Sequence, residues 1–332
     1  MKTFNPDIDY FSASFPENGL EMLPIKFLDK LEFSFAQCGF LDFSFERRKV
    51  GLFSYKESLN ILRKDAFSNQ YIQAGLVAYT DISFNQTSRY TGGFYFSLSA
   101  VGCRGFNFPL LVKLLSLHLM SITRIDIAVD WFDGLVNFEL VKSLYHKGSF
   151  ISGGRSPRFH EIASKIMCPK TGELSQIGSN TFYVGKRGGA KLFRGYEKGL
   201  QLFTFDEDCH PFPDWFRCEV ELRNKQCEIP LEIVENLDGA LLGAYPKFFN
   251  KIPPPNHIDQ TGIFFDIVKA KYKTPADQVN LEHFIYWCKE SYGGLFNVLA
   301  NEIGFESDVI VDLLMPEDLT KKPKRLLFPS TS

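Results

Sequence analysis

Thr123-Arg124-Ile125-Asp126-Ile127-Ala128-Val129-Asp130 and Arg217-Cys218-Glu219-Val220-Glu221-Leu222-Arg223 share one design. In an extended strand alternate residues share a face, so Arg124, Asp126 and Asp130 point one way and Ile125, Ile127 and Val129 the other. The second segment puts Glu219 and Glu221 with Arg217 and Arg223, and Cys218, Val220 and Leu222 on the apolar side. Between them runs Lys191-Leu192-Phe193-Arg194-Gly195-Tyr196-Glu197-Lys198, with Arg194, Tyr196 and Lys198 on a common face. Strands that are charged on one face and apolar on the other imply an α+β fold. We expect an antiparallel β-sheet catalytic core with packed helices, followed by a helical C-terminal region.

The same residues suggest metal-assisted phosphoryl transfer with Tyr196 as nucleophile. A tyrosine hydroxyl, with a pKa of about 10, needs help to attack phosphorus at neutral pH. Arg194 and Lys198 are expected to favour the phenolate and hold the phosphate. Asp126, Asp130, Glu219 and Glu221 supply oxygen ligands suited to Mg2+ or Mn2+. The ordinary alternative is that Asp126 and Asp130 pair with Arg124 or Arg223, and Glu221 with Arg223. Tyr183 is the rival nucleophile.

Outward from this centre, Thr181–Gly185 reads as a strand joined to 191–198 by a turn at Lys186–Ala190, a hairpin with Gly188-Gly189 at its tip. Between 186 and 198 five cations face the single acid Glu197. Lys186, Arg187 and Lys191 are therefore candidate DNA-backbone contacts. Upstream, 1–22 reads as turn-rich, 25–105 as short strands with a helix at 55–66, 106–120 as an apolar helix and 137–147 as a helix opened by Asn137. Residues 148–180, rich in Gly, Ser and Pro, read as a surface excursion. Phe33, Phe35, Phe43, Phe45, Phe94 and Phe96 recur at period two, which reads as strand core. An acidic interlude, Asp206-Glu207-Asp208, and a proline loop at 211–213 lead to the Glu219 strand. Helices are expected at 230–238, 239–250, 278–291 and 293–304. The parts are a strand-rich 1–105, a catalytic core at 106–229 and a helical 230–332.

The chain has 332 residues, 45% of them hydrophobic, and a net charge of −2, so it is globular and not broadly basic. The basic runs are local, at 186–198 and at Lys321, Lys322, Lys324 and Arg325. Seven cysteines, an odd number with no CxxC, read as reduced thiols; Cys209-His210 has no companion pair to make a zinc site. Without a signal-like N-terminus or a run of roughly 18 apolar residues, the expected location is the cytoplasm, with no membrane partner.

These segments resemble the replication initiation factor family, the rolling-circle initiators of filamentous phages and staphylococcal-type plasmids. The resemblance is carried by Arg124–Asp130, Thr181–Arg187, Arg194–Lys198 and Arg217–Arg223, with Leu98–Arg104 similar to the family's Ser-Gly-x-Gly-Cys-Arg stretch. Ala100 stands where the family tends to have Gly, and Gln201 where an acid often follows. The resemblance implies an enzyme that nicks one origin strand through Tyr196, leaves a 5'-phosphotyrosyl link and a free 3'-OH, and later religates. None of the six histidines (118, 146, 160, 210, 257, 283) forms a His-hydrophobe-His motif, so carboxylates would hold the divalent cation. Expected partners are origin DNA, duplex and single-stranded, a host helicase and polymerase, and a second copy in a homodimer. Two alternatives are a non-catalytic origin-binding regulator of the same fold and a metal-dependent phosphoesterase that uses water.

Overall fold

A computed structural model of the chain describes residues 3–20, 22–64, 70–80, 92–151, 154–165, 179–202, 214–225, 227–256, 271–272 and 301. Ten strands make a single sheet: β1 (Asp7–Phe15), β2 (Phe43–Arg47), β3 (Glu57–Lys64), β4 (Tyr71–Thr80), β5 (Gly93–Ser99), β6 (Ser121–Trp131), β7 (Phe159–Ala163), β8 (Asn180–Gly185), β9 (Lys191–Glu197) and β10 (Phe216–Arg223). Their order is β2-β3-β4-β5-β1-β6-β10-β9-β8-β7, and every pairing is antiparallel. The expected antiparallel α+β core is thus present. The parts 1–105 and 106–229 contribute β1 to β5 and β6 to β10 of one continuous sheet.

One face of the sheet is apolar: Phe11, Phe15, Phe94, Phe96, Ile125, Ile127, Val220, Phe182 and Phe193 are all buried. Among the described residues seven helices accompany the sheet, and four of them pack on this face through aromatic contacts. They are α1 (Pro24–Gln37), the short α2 (Ala100–Cys103), α3 (Phe108–Leu115), α4 (Phe138–His146), α5 (Lys198–Leu202), α6 (Leu237–Ala244) and α7 (Pro246–Phe249). Phe27 of α1 meets Phe15, Phe108 of α3 meets Phe11, Phe138 of α4 meets Phe182, and Phe248 of α7 meets Phe193. The opposite face carries Tyr10, Ser12, Tyr95, Ser97, Arg124, Asp126, Arg217, Glu219, Glu221, Arg194 and Tyr196, neighbours by strand register.

Three expectations are corrected. The helix expected at 55–66 is a strand over its described part: Glu57–Lys64 is β3, with Leu59 and Ile61 turned to the core side while Ser58 and Asn60 take the other. Its helix-favouring Leu, Lys and Arg yield to pairing with strands on both sides. Residues 24–37, read as strand, form α1, where Phe27, Leu31, Ser34 and Phe35 are buried at helical spacing and Pro24 opens the first turn. Phe33 is 61% exposed; its spacing of two from Phe35 was not a strand signal. Residues 1–22 are not merely turns, since β1 sits near the centre of the sheet. A bulge at Asp9, between Ile8 and Tyr10, breaks the alternation that would have revealed it.

Asn137 caps α4 as expected, accepting from the Leu140 amide. The apolar run 106–120 is α3 followed by one 3-10 turn, Ser116–His118. At 230–250 the helices are short: a 3-10 turn at Leu231–Glu235, then α6 and α7. The chain divides into two compact units, Met1–Lys271 and Tyr272–Ser332, and the sheet belongs to the first. The expected helices at 278–291 and 293–304, the basic cluster 321–325, Cys209-His210, the acids 206–208 and the loop 211–213 lie outside the described residues. Among the described residues no helix is long and apolar enough to cross a membrane.

Candidate functional site

Pleating and register bring the candidate residues together on the polar face. β10 lies between β6 and β9, with Glu221 opposite Asp126, Arg217 opposite both Asp130 and Tyr196, and Glu219 opposite Arg194. The Tyr196 hydroxyl donates to Glu219 Oε1 at 2.5 Å. Glu219 Oε2 accepts from Arg194, whose Nη2 also stands 3.7 Å from Asp126 Oδ2. Arg124 grips Asp126 with two bonds of 2.7 and 2.5 Å and reaches Glu221 Oε2 at 3.1 Å; the other Glu221 oxygen accepts from Arg223. The network thus runs Tyr196, Glu219, Arg194, Asp126, Arg124, Glu221, Arg223.

Asp130 belongs to a second cluster. Arg217 donates to both its oxygens at 2.8 and 2.7 Å, Trp215 Nε1 donates at 2.6 Å, and the remaining Arg217 Nη1 binds Asp9 at 2.8 Å. The ordinary ion-pair reading holds for Asp126 with Arg124 and for Glu221 with Arg223, whereas Asp130 chooses Arg217. Sequence reading missed Asp9 and Trp215. Asp9 was hidden by the bulge, and an indole N–H beside an acid leaves no spacing signal.

Burial sets the proton affinities. Asp126 is 1% exposed, and loss of solvation raises its pKa from 3.8 to about 6 against the opposing pull of Arg124 and Arg194. Tyr196 is 7% exposed. Burial and then the Glu219 carboxylate push its phenol well above the usual range. The expectation that Arg194 and Lys198 would stabilise the phenolate is therefore corrected: both cations lie against the ring, 6.0 and 5.6 Å from its centroid, but a carboxylate holds the hydroxyl. Lys198 opens α5 and donates to Gln201 at 3.2 Å; burial first, then Arg217, lowers its pKa.

The hairpin forms as expected, with Gly188 at φ +70° in its turn and Lys186 and Arg187 exposed beside it. Arg187 lies over the Tyr183 ring at 4.7 Å. Lys191 is not brought to the site: its ammonium donates to the Ala244 carbonyl at 2.6 Å and lies over Tyr245, on the helix side of the sheet.

The donor chemistry of Asp126, Asp130, Glu219 and Glu221 suits Mg2+ or Mn2+, but their placement does not. Both oxygens of each carboxylate accept from a protein donor, and guanidinium groups occupy the spaces between them. Among the described residues no three His, Cys, Asp or Glu side chains converge as ligands.

The chain matches the family model described as replication initiation factor over residues 120–314. Among solved structures it is similar to a rolling circle replication initiator protein from Geobacillus stearothermophilus, with 19% identity and a TM-score of 0.47 over 80% of this chain and 92% of that one. No curated protein matches it.

Proposed function

The chain belongs to the replication initiation factor family, and from that premise we propose that it starts rolling-circle replication by nicking one origin strand through Tyr196. The observation that carries the proposal is the buried hydrogen bond from the Tyr196 hydroxyl to Glu219, set among arginines on one sheet face.

In this reading the Tyr196 oxygen attacks the scissile phosphorus as its proton passes to Glu219 Oε1. The bond from phosphorus to the 3' oxygen breaks, and Lys198, whose lowered pKa makes it the better acid, protonates the departing oxygen. Arg194, partly exposed and shared between Glu219 and Asp126, takes the charge of the phosphoryl group. The products are a 5'-phosphotyrosyl ester and a free 3'-OH, which a host polymerase extends once a host helicase opens the duplex. Reversal of the same transfers, with another 3'-OH as the attacking group, religates the strand. Glu219 is thus assigned as proton acceptor rather than metal ligand. Asp126, Asp130 and Glu221, whose oxygens are already committed to protein donors, likewise serve to hold the arginines in place and not as ligands to Mg2+ or Mn2+. Lys186 and Arg187 position the strand backbone, and the enzyme acts in the cytoplasm of its bacterial host.

The test is incubation of the full chain with supercoiled DNA carrying its origin. We expect a protein–DNA adduct that survives SDS, lost in Tyr196→Phe with DNA binding retained. Cleavage without an adduct would instead favour the phosphoesterase alternative; binding with neither would favour the non-catalytic regulator.

A further inference from the structure

Far from Tyr196 along the sheet, the loop between β2 and β3 carries Arg47, Arg48, Lys49 and Lys56 with no acid between positions 47 and 56. Arg47 is neutralised in part by Glu57 at 2.6 Å. Among the described residues Arg48 and Lys49 make no ion pair, and Lys49 is exposed. The loop encloses an open concavity of about 790 Å³. It is held shut by a turn, Tyr55 N–H to Leu52 carbonyl at 2.9 Å, and by Gly51, where a Cβ would lie 2.2 Å from the Tyr55 carbonyl oxygen.

At the loop's tip Phe53 is 76% exposed and adopts a left-handed backbone at φ +55°. A bulky side chain is seldom found there, and such strain persists only where surrounding structure enforces it. The ring does not stand alone. It meets Tyr95 edge-on at 5.4 Å, and Tyr55 stacks on Tyr95 at 6.3 Å. The Tyr95 hydroxyl lies 3.4 Å from that of Tyr10, and the Tyr10 ring lies 4.3 Å beneath Arg124, the partner of Asp126. A line of aromatic rings on the polar face therefore leads from a cationic loop to the arginines of the Tyr196 site.

We propose that this loop and the tyrosines behind it are a platform for single-stranded DNA, with Arg48 and Lys49 on phosphates and an unstacked base against Phe53. Exposed rings interleaved with cations fit a single strand: every base has a stackable face, and the backbone supplies the opposite charge. A duplex keeps its bases stacked on one another and offers Phe53 nothing to stack on. The proposal deepens the nicking reading, from which it takes DNA as the ligand, by assigning a path to the strand that leaves the site.

The experiment is fluorescence anisotropy of the full chain with a labelled single-stranded oligodeoxynucleotide of about 20 nucleotides, repeated over a range of salt concentrations. Phe53→Ala should weaken binding about 10-fold. The double variant R48A/K49A should flatten the dependence of log K on log salt by about 1.4, two phosphate contacts at roughly 0.7 each. Both variants should form the covalent adduct at the wild-type rate when protein saturates the DNA, and both should remain folded, with the same cooperative melting transition by circular dichroism. Wild-type affinity and salt slope in both variants would overturn the proposal and leave the loop to a protein partner; so would a loss seen with duplex and not with the single strand. Failure of the nicking reading looks different, since the wild-type chain would then form no SDS-stable adduct with origin DNA whatever the loop variants do.

Discussion

At the scale of single residues, the site is a mosaic of acids and guanidinium groups around one phenol. Glu219→Gln keeps the shape of Glu219 and removes its proton affinity. We expect the covalent step to slow by about 10²- to 10⁴-fold, with a rate that climbs with pH because the phenol must then lose its proton to solvent. A stopped-flow or quenched time course of adduct formation across pH decides this, and wild-type rates in the variant would place the proton acceptor elsewhere. For Asp126 the folded pKa, about 6, lies above the ordinary 3.8, so folding favours the protonated form. The stability it contributes is complete below pH 3.8 and is lost as pH rises through about 6. The difference in unfolding free energy between wild type and Asp126→Asn should therefore fall by about 3 kcal/mol over that window, as read by urea denaturation. A difference independent of pH would mean an ordinary carboxylate. The sequence made these residues legible as a set, because strict alternation puts Arg124, Asp126, Glu219 and Glu221 on one face. It did not reveal which acid takes which partner, since that depends on the lateral order of β6, β10 and β9.

At the scale of elements, clean patterns were readable and broken ones were not. β8, β10 and the Arg124–Asp130 part of β6 carry period-two alternation, β9 follows it from Phe193 onward, and the hairpin announces its turn with two glycines. β1 conceals itself behind the Asp9 bulge, and β3 is made of residues that also suit helices. The stretch Leu98–Arg104 shows why a small residue can be demanded in a short element. It joins β5 to α2, and a Cβ on Gly102 would lie 2.2 Å from the Ala74 carbonyl oxygen of β4. Arg63 of β3 donates to the carbonyls of Val101 and Arg104, both at 2.8 Å, fixing the element from the far side. Gly102→Ala should therefore cost about 2 kcal/mol and lower the melting temperature measured by circular dichroism. An unchanged melting temperature would mean that α2 can shift away from β4 freely.

At the scale of the whole molecule, contacts distant in sequence hold the helix layer to the sheet. Asp238 in α6, 4% exposed, accepts the Phe4 amide at 2.6 Å and the Thr3 hydroxyl at 3.2 Å. Trp131 at the end of β6 donates to the Pro253 carbonyl at 3.0 Å. Asp238→Ala leaves the buried Phe4 amide without its acceptor and should cost about 2 kcal/mol, visible as an earlier midpoint in urea without loss of DNA binding. None of these ties was legible in the sequence, because they join segments more than a hundred residues apart with no shared pattern. The place of β1 between β5 and β6 has a consequence for assembly. It is the earliest of the ten strands to leave the ribosome, yet both its neighbours are synthesised later, so one of its edges waits for β5 and the other for β6. The ladders β2-β3-β4-β5 and β7-β8-β9-β10 can each zip up as rows of local pairings, β6 closes onto β10 by a long-range pairing, and β1 is the seam that joins the two flanks. Deleting Asp7–Phe15 would not trim an edge; it would leave two separate ribbons, with Phe53 on one and Tyr196 on the other.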